Sequence, residues 1–73
     1  MVDFWIYGKQ DCTYCEMAKL LLHTRGYKFA YIDVGKNPEW RDPEWKTVPQ
    51  IFRGSFHIGG FRALEAYLDG GNE

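Results

Sequence analysis

The stretch that decides the fold is residues 2–26, VDFWIYGKQDCTYCEMAKLLLHTRG, where one hydrophobic period gives way to another. Residues 2–7 are apolar at nearly every position and rich in β-branched and aromatic side chains, which predicts a central strand buried on both faces. From Thr13 onward, apolar residues recur at three- and four-residue spacing. This period predicts an amphipathic helix of about three turns that ends at Gly26.

The remaining elements follow from the same patterns. Residues 27–34 alternate as a strand does, and residues 35–47 form a polar connector whose prolines permit at most a turn or two of helix. Residues 49–52 and 55–58 predict a hairpin, and residues 61–68 predict a final amphipathic helix. Strand, helix and strand in succession indicate a parallel βαβ unit, so the chain is predicted to be α/β, β-α-β followed by β-β-α.

Length and composition restrict the class of protein. The 73 residues are predicted to form one domain, residues 1–73, and an aromatic content of 18% argues against disorder. The net charge of −1 gives no reason to expect nucleic acid or an anionic membrane as a partner. Residues 1–4 lack the basic start of a signal peptide, and no apolar run approaches the roughly 18 residues of a membrane span. We therefore expect a cytoplasmic, soluble monomer.

The spacing of Cys12 and Cys15 favours a catalytic role over a stabilising disulfide. A disulfide between residues three apart closes a very short loop and adds only about 2 kcal/mol of stability in the loop-entropy model. Cys12 falls at the predicted helix N-terminus, where free N–H groups and the helix dipole favour the nucleophilic thiolate. Cys15 lies within the first turn, close enough to attack a mixed disulfide at Cys12 and release the substrate. Cys12 and Cys15 are the predicted catalytic residues.

Metal binding is the main rival interpretation of the cysteine pair. A tetrahedral zinc site needs four ligands, and the further candidates of the usual kind are His23 and His57, whose spacing fits no zinc-finger pattern. His23 is eleven residues beyond Cys12, roughly 16 Å along one helix. The sequence therefore favours a redox pair and predicts no metal ligands.

At this point the chain resembles a glutaredoxin. The resemblance runs from Val2 to about Leu68 and depends on three motifs in order: Lys9-x-x-Cys12-Thr13-Tyr14-Cys15, Thr47-Val48-Pro49 and His57-Ile58-Gly59-Gly60. It implies a thioredoxin-like fold, here with a shortened second helix, and a thiol–disulfide oxidoreductase. It also implies a cis peptide bond between Val48 and Pro49, facing the cysteines.

The resemblance further implies that glutathione is the co-substrate. The main chain of Val48 would pair with the glutathione moiety as an added strand does. Gly60 and Phe61 would offer main-chain N–H groups to its γ-glutamyl carboxylate, as helix starts do for anions. The predicted glutathione-binding residues are Lys9, Tyr14, Thr47, Val48, Pro49, Gly60 and Phe61.

Two departures from the family pattern bear on partners. Arg62 and Ala63 stand where glutaredoxins commonly have acidic residues that meet the glutathione ammonium group. Residues 60–62 are instead similar to the same segment of redoxins that serve ribonucleotide reductase and are recharged by thioredoxin reductase. Expected partners are therefore disulfide proteins such as ribonucleotide reductase, with glutathione or thioredoxin reductase as electron source. Thr13 stands where the dithiol members of the family usually have proline. Family members without that proline include some that hold a [2Fe–2S] cluster with glutathione, so a cluster-binding module is the alternative function.

Three further aromatic residues have structural interpretations. Trp40 and Trp45 are predicted to fold back over the edge of the sheet, although a partner-docking surface is the alternative. His57, at a strand end, is predicted to be a hydrogen-bonded structural residue.

Overall fold

Helices and strands follow the predicted order along the chain. The computed structural model describes residues 1–71, and its connector contains a short 3-10 turn at Pro38–Trp40. The strands and helices are β1 Phe4–Gly8, α1 Thr13–Thr24, β2 Phe29–Asp33, β3 Gln50–Arg53, β4 Phe56–Gly59 and α2 Phe61–Ala66. An irregular turn, Tyr67–Gly71, follows α2.

The four strands form one mixed sheet in the order β2-β1-β3-β4. β1 pairs in parallel with β2 and antiparallel with β3, and β3 pairs antiparallel with β4. Ile6 of β1 lies opposite Tyr31 on one side and Ile51 on the other. The predicted βαβ unit extended by a hairpin is confirmed, and β1 is an internal strand.

The core lies between one face of this sheet and both helices. Phe4, Ile6 and Ile51 have no exposed surface, and they pack against buried side chains of α1 and α2. The helical contribution consists of Ala18 and Leu22 from α1 with Phe61 and Leu64 from α2. This face buries the alternate residues of β1, as the two-residue period of a strand requires.

The opposite face of the sheet is only partly covered, so the prediction that β1 is buried on both faces is wrong. Trp5 is 39% exposed, and Tyr7 is half-buried. Trp45 packs on Tyr7 with 5.2 Å between ring centroids, whereas Trp40 is 56% exposed. The cause is the connector, which is too short and too rich in proline to build a helical layer over the sheet.

Local chemistry sets both ends of α1. Cys12 is the N-cap residue, with extended backbone, and its sulfur accepts a hydrogen bond from the N–H of Cys15. Gly26 has φ of +82° just after the helix, a left-handed conformation that glycine adopts without steric cost. Among residues 1–71, the helices are all too short and too polar to cross a bilayer.

Candidate active site

Cys12 and Cys15 are joined by a disulfide at the first turn of α1, with 5.2 Å between their Cα atoms. Cys12 is partly exposed, whereas Cys15 has no exposed surface. The N–H of Cys15 lies 3.2 Å from the Cys12 sulfur. A sulfur at this position faces the free N–H groups of a helix start, which stabilise negative charge there. The accessible sulfur is therefore also the one whose thiolate the helix favours.

Gly8 and Tyr31 form the floor beneath Cys15. A Cβ atom on Gly8 would lie 2.8 Å from the Cys15 sulfur and 2.9 Å from Cζ of Tyr31. Only glycine leaves room for both groups at the end of β1. The Tyr31 hydroxyl donates a hydrogen bond to the Lys9 carbonyl over 3.0 Å. Burial raises the pKa of Tyr31 above the ordinary tyrosine value, and the carboxylates of Asp33 and Glu16 raise it further.

The Val48–Pro49 peptide bond is cis and leads directly into β3. The Val48 carbonyl oxygen lies 3.8 Å from the Cys12 sulfur. The cis bond that the resemblance implied is confirmed. The Val48 carbonyl is a main-chain acceptor beside the accessible sulfur, where an extended peptide can pair with the backbone.

Val48 separates two concave surfaces. One, the Val48 groove, has a volume of about 450 Å³ and is lined by Tyr14, Thr47, Val48, Pro49, Gly60, Phe61, Arg62 and Ala63. The other, the Lys9 pocket, has a volume of about 110 Å³ and is lined by Lys9, Val34, Gly35, Arg41, Lys46, Thr47 and Val48. Six of the seven residues predicted to bind glutathione line the groove, and Lys9 lines the pocket.

Sequence reasoning missed two cations of this site, Arg41 and Lys46, both in the connector. With Lys9 they give the Lys9 pocket three cations, and Arg62 adds one to the Val48 groove. No carboxylate appears among the described residues that line either surface. The available signal was their place in the polar segment just before Thr47-Val48-Pro49.

The histidines considered for metal binding lie outside these surfaces. His57 Nε2 lies 2.7 Å from Oε1 of Gln50, and its ring stacks on Phe52 with centroids 4.7 Å apart. The predicted hydrogen bond of His57 is confirmed. Within residues 1–71 no group of three or more histidine, cysteine, aspartate or glutamate side chains is placed to hold a metal ion.

A thioredoxin-like fold that presents a Cys-x-x-Cys pair at the start of its first helix defines the class of dithiol–disulfide oxidoreductases. Comparison with known proteins narrows this class. The family model described as Glutaredoxin matches residues 5–58. The chain belongs to the glutaredoxin family and is a glutaredoxin-type dithiol–disulfide oxidoreductase.

Relatives and solved structures agree with this family. Glutaredoxin 3 of Escherichia coli K12 is 40% identical over 71 residues, which cover 90% of this chain and 86% of the relative. The solution structure of a glutaredoxin from Brucella melitensis has a TM-score of 0.79 at 43% identity, covering 97% of this chain and 83% of the other.

Two further solved structures are also similar to this chain. A buckwheat glutaredoxin–glutathione complex has a TM-score of 0.75 at 26% identity and covers 94% of this chain and 71% of the other. The glutaredoxin-like NrdH-redoxin of Escherichia coli, which has a thioredoxin-like activity profile, has a TM-score of 0.71 at 30% identity. This match covers 82% of the present chain and 84% of NrdH-redoxin. The glutaredoxin family uses glutathione, as the buckwheat complex illustrates.

Proposed function

We propose that Cys12 is the nucleophile and Cys15 the resolving thiol in the reduction of protein disulfides and glutathione mixed disulfides. The observation that carries this assignment is the difference in exposure between the two sulfurs: Cys12 reaches the surface and Cys15 is buried. A buried thiol meets few external disulfides, but it is well placed to attack a sulfur bonded to its neighbour.

The reaction has two steps. The Cys12 thiolate attacks one sulfur of the substrate disulfide, forming a mixed disulfide and expelling the other substrate sulfur as a thiolate, which takes a proton from water. The Cys15 thiolate then attacks the Cys12 sulfur, forming the internal disulfide and releasing the second substrate thiolate. Two electrons pass from the protein dithiol to the substrate.

We propose that glutathione bound at Cys12 lies along Val48 and bridges the Val48 groove and the Lys9 pocket. The Val48 main chain is beside the Cys12 sulfur, which supports pairing of an extended tripeptide with this backbone. At one end of the tripeptide, the Lys9 pocket would bind a carboxylate, because three cations line it: Lys9, Arg41 and Lys46. At the other end of the tripeptide lie Gly60 and Phe61, at the start of α2.

A second candidate role is electron donor to ribonucleotide reductase, recharged by thioredoxin reductase. Arg62 favours it, because this side chain lines the Val48 groove and stays 81% exposed beside its 4.0 Å ion pair with Glu65, so a ligand can still reach the guanidinium. A guanidinium there repels the ammonium group of glutathione. The likeness to NrdH-redoxin supports the same role.

The [2Fe–2S] alternative requires Cys12 as a cluster ligand. The cluster would use Cys12 alone, whereas the redox role also uses Cys15, whose sulfur lies within bonding reach of the Cys12 sulfur. We therefore propose the redox role. Visible iron–sulfur absorbance in a dimer purified under reducing conditions would instead establish the cluster carrier.

Serine variants test the assignment of the two cysteines. We expect Cys12→Ser to abolish reduction of all disulfides, and Cys15→Ser to retain reduction of glutathione mixed disulfides while losing reduction of protein disulfides that need the second step. Full activity in Cys12→Ser would refute the assignment.

The electron source is tested by turnover of one small disulfide with two recharging systems in parallel, glutathione with its reductase and thioredoxin reductase. Arg62→Asp should raise kcat/KM with the glutathione system about threefold to tenfold, because a carboxylate attracts the ligand ammonium group. Lys28→Asp makes the same charge change at an exposed position at the other end of the sheet and should have little effect. Equal effects of the two variants would remove Arg62 as the determinant.

A further inference from the structure

The outer face of the sheet carries an open aromatic groove that thiol chemistry does not use. This outer groove has a volume of about 690 Å³, larger than the Val48 groove. Neither cysteine lines it. Its lining residues include Trp5, Tyr7, Tyr31, Asp33, Trp40 and Phe52.

Two tryptophans leave indole surface exposed at this groove. Trp40 is 56% exposed and Trp5 is 39% exposed. Trp45 closes part of the same face by packing on Tyr7 and Phe52, with ring centroids 5.2 and 6.0 Å apart. A contiguous exposed apolar surface of this kind, rimmed by polar residues, is typical of an interaction site. The indoles also provide rigid contact area at low entropic cost.

Charge distinguishes this groove from the catalytic surfaces. Asp33 is the one charged residue among the described residues that line the outer groove, whereas four cations line the surfaces beside Val48. The N–H groups of Gly35 and Lys36 donate to Oδ1 of Asp33 over 2.8 and 3.1 Å and hold the carboxylate in place. Within residues 1–71 no lysine, arginine or histidine forms an ion pair with Asp33.

We propose that the outer groove binds an arginine-bearing apolar segment of a protein partner. A guanidinium is planar and weakly hydrated, so it stacks on an indole face and pairs with a carboxylate at the same time. Apolar side chains beside the arginine would cover Trp5 and Phe52. The groove therefore offers all three kinds of contact that such a segment makes.

A second copy of this chain fits the same face less well. In a two-fold symmetric dimer, each protomer presents the same surface to the other. Pairing through the outer groove would cover both Asp33 carboxylates without offering either one a cation from among the described lining residues. Covering a carboxylate without a partner is costly, which favours a cationic partner over self-association.

The test uses an acetylated and amidated pentapeptide in which arginine and leucine alternate, leucine at both ends. Its control is the same peptide with citrulline, the uncharged analogue of arginine. Each is titrated into the oxidised protein, and the indole N–H resonances are followed by NMR. We expect saturable shifts of the Trp5 and Trp40 resonances with the arginine peptide, and affinity about fivefold weaker for the citrulline peptide.

Three variants locate the binding site. Trp40→Ala and Asp33→Asn should each weaken the arginine peptide about threefold to tenfold. Asn at position 33 retains an oxygen for the Gly35 and Lys36 hydrogen bonds. Phe56→Ala removes an aromatic residue that is 54% exposed but does not line the groove, and it should bind as the parent protein does. Unchanged disulfide turnover in Trp40→Ala and Phe56→Ala checks that both variants are folded.

Several results would overturn the proposal. These are the absence of saturable indole shifts, equal affinity for the two peptides, and equal effects of Trp40→Ala and Phe56→Ala. Indole shifts that follow protein concentration without peptide, together with a doubled mass in solution, would assign the groove to a second copy of the chain.

Discussion

Gly8, the last residue of β1, packs directly against the buried cysteine of the pair. Any larger side chain at this position would collide with the Cys15 sulfur and the Tyr31 ring. We expect Gly8→Ala to lower the free energy of unfolding of the oxidised protein by about 2 kcal/mol, because both neighbours are constrained by packing. Urea unfolding measures this loss.

Gly60→Ala is the matched control for Gly8→Ala. A Cβ at Gly60 would lie 3.8 Å from the Pro49 carbonyl oxygen, an ordinary contact distance, and the residue has φ of −89°. Gly60→Ala should lower the free energy of unfolding by less than about 1 kcal/mol, the loss expected when alanine replaces glycine at a helix N-cap. Equal costs for the two variants would show that the sulfur and the ring at Gly8 move aside freely.

Tyr31 predicts a pH dependence of stability. The fold raises the pKa of Tyr31 above its unfolded value of 10.0, chiefly by burial, so the folded state favours the protonated hydroxyl. This contribution to the free energy of unfolding is complete below pH 10 and is lost as pH rises through the folded pKa.

Tyr31→Phe tests this dependence. It removes the hydrogen bond to the Lys9 carbonyl and should cost about 1 kcal/mol at pH 7. Above pH 10 the difference from the parent should shrink, because phenylalanine does not ionise. Urea unfolding of both proteins from pH 7 to 11 measures it. A difference that does not change with pH would contradict the assignment of alkaline destabilisation to Tyr31.

At the scale of elements, the connector between β2 and β3 is held to the sheet by one of its two tryptophans. Trp45 packs on Tyr7 and Phe52, whereas Trp40 is mostly exposed. Trp45→Ala should therefore cost about 2 kcal/mol of unfolding free energy, and Trp40→Ala less than about 0.5 kcal/mol. Thermal or urea unfolding compares them. A larger loss in Trp40→Ala would mean that the connector is anchored through the 3-10 turn instead.

The same connector shows how far sequence reasoning reaches. The ends of α1 could be predicted because local signals set them, a side chain before the first turn and Gly26 after the last. Which tryptophan would be buried could not be predicted, because it depends on where the chain crosses the sheet. The prediction that both would fold back over the sheet edge is wrong: Trp45 packs on the face of the sheet, and Trp40 remains mostly exposed.

The candidate site likewise contains two kinds of residue: those in continuous sequence motifs and those that only the tertiary structure brings together. The three sequence motifs contain both cysteines and most of the residues that line the Val48 groove, since each motif is continuous along the chain. Arg41 and Lys46 were missed, because their place beside Lys9 depends on the path of the connector around Val48. Tyr31 was missed because only the pairing of β2 with β1 brings it to Gly8.

For the whole molecule, a net charge of −1 conceals separated charges. Lys9, Arg41, Lys46 and Arg62 line the two surfaces beside Val48, while Asp33 lines the outer groove. Asp11 precedes Cys12 and is exposed, so it moderates the positive potential without lining either surface. Local potential rather than net charge governs the approach of a charged substrate to a cleft.

This separation of charge predicts a salt dependence of the first chemical step. The reduced protein should be oxidised by glutathione disulfide, a dianion, about threefold to tenfold more slowly at high ionic strength than at low, since salt screens the attraction. Oxidation by bis(2-hydroxyethyl) disulfide, which is uncharged, should change little. Stopped-flow tryptophan fluorescence measures both rates. Equal salt dependence would show that the cations do not steer the substrate, and the cation-lined surfaces would then act only after Cys12 has reacted.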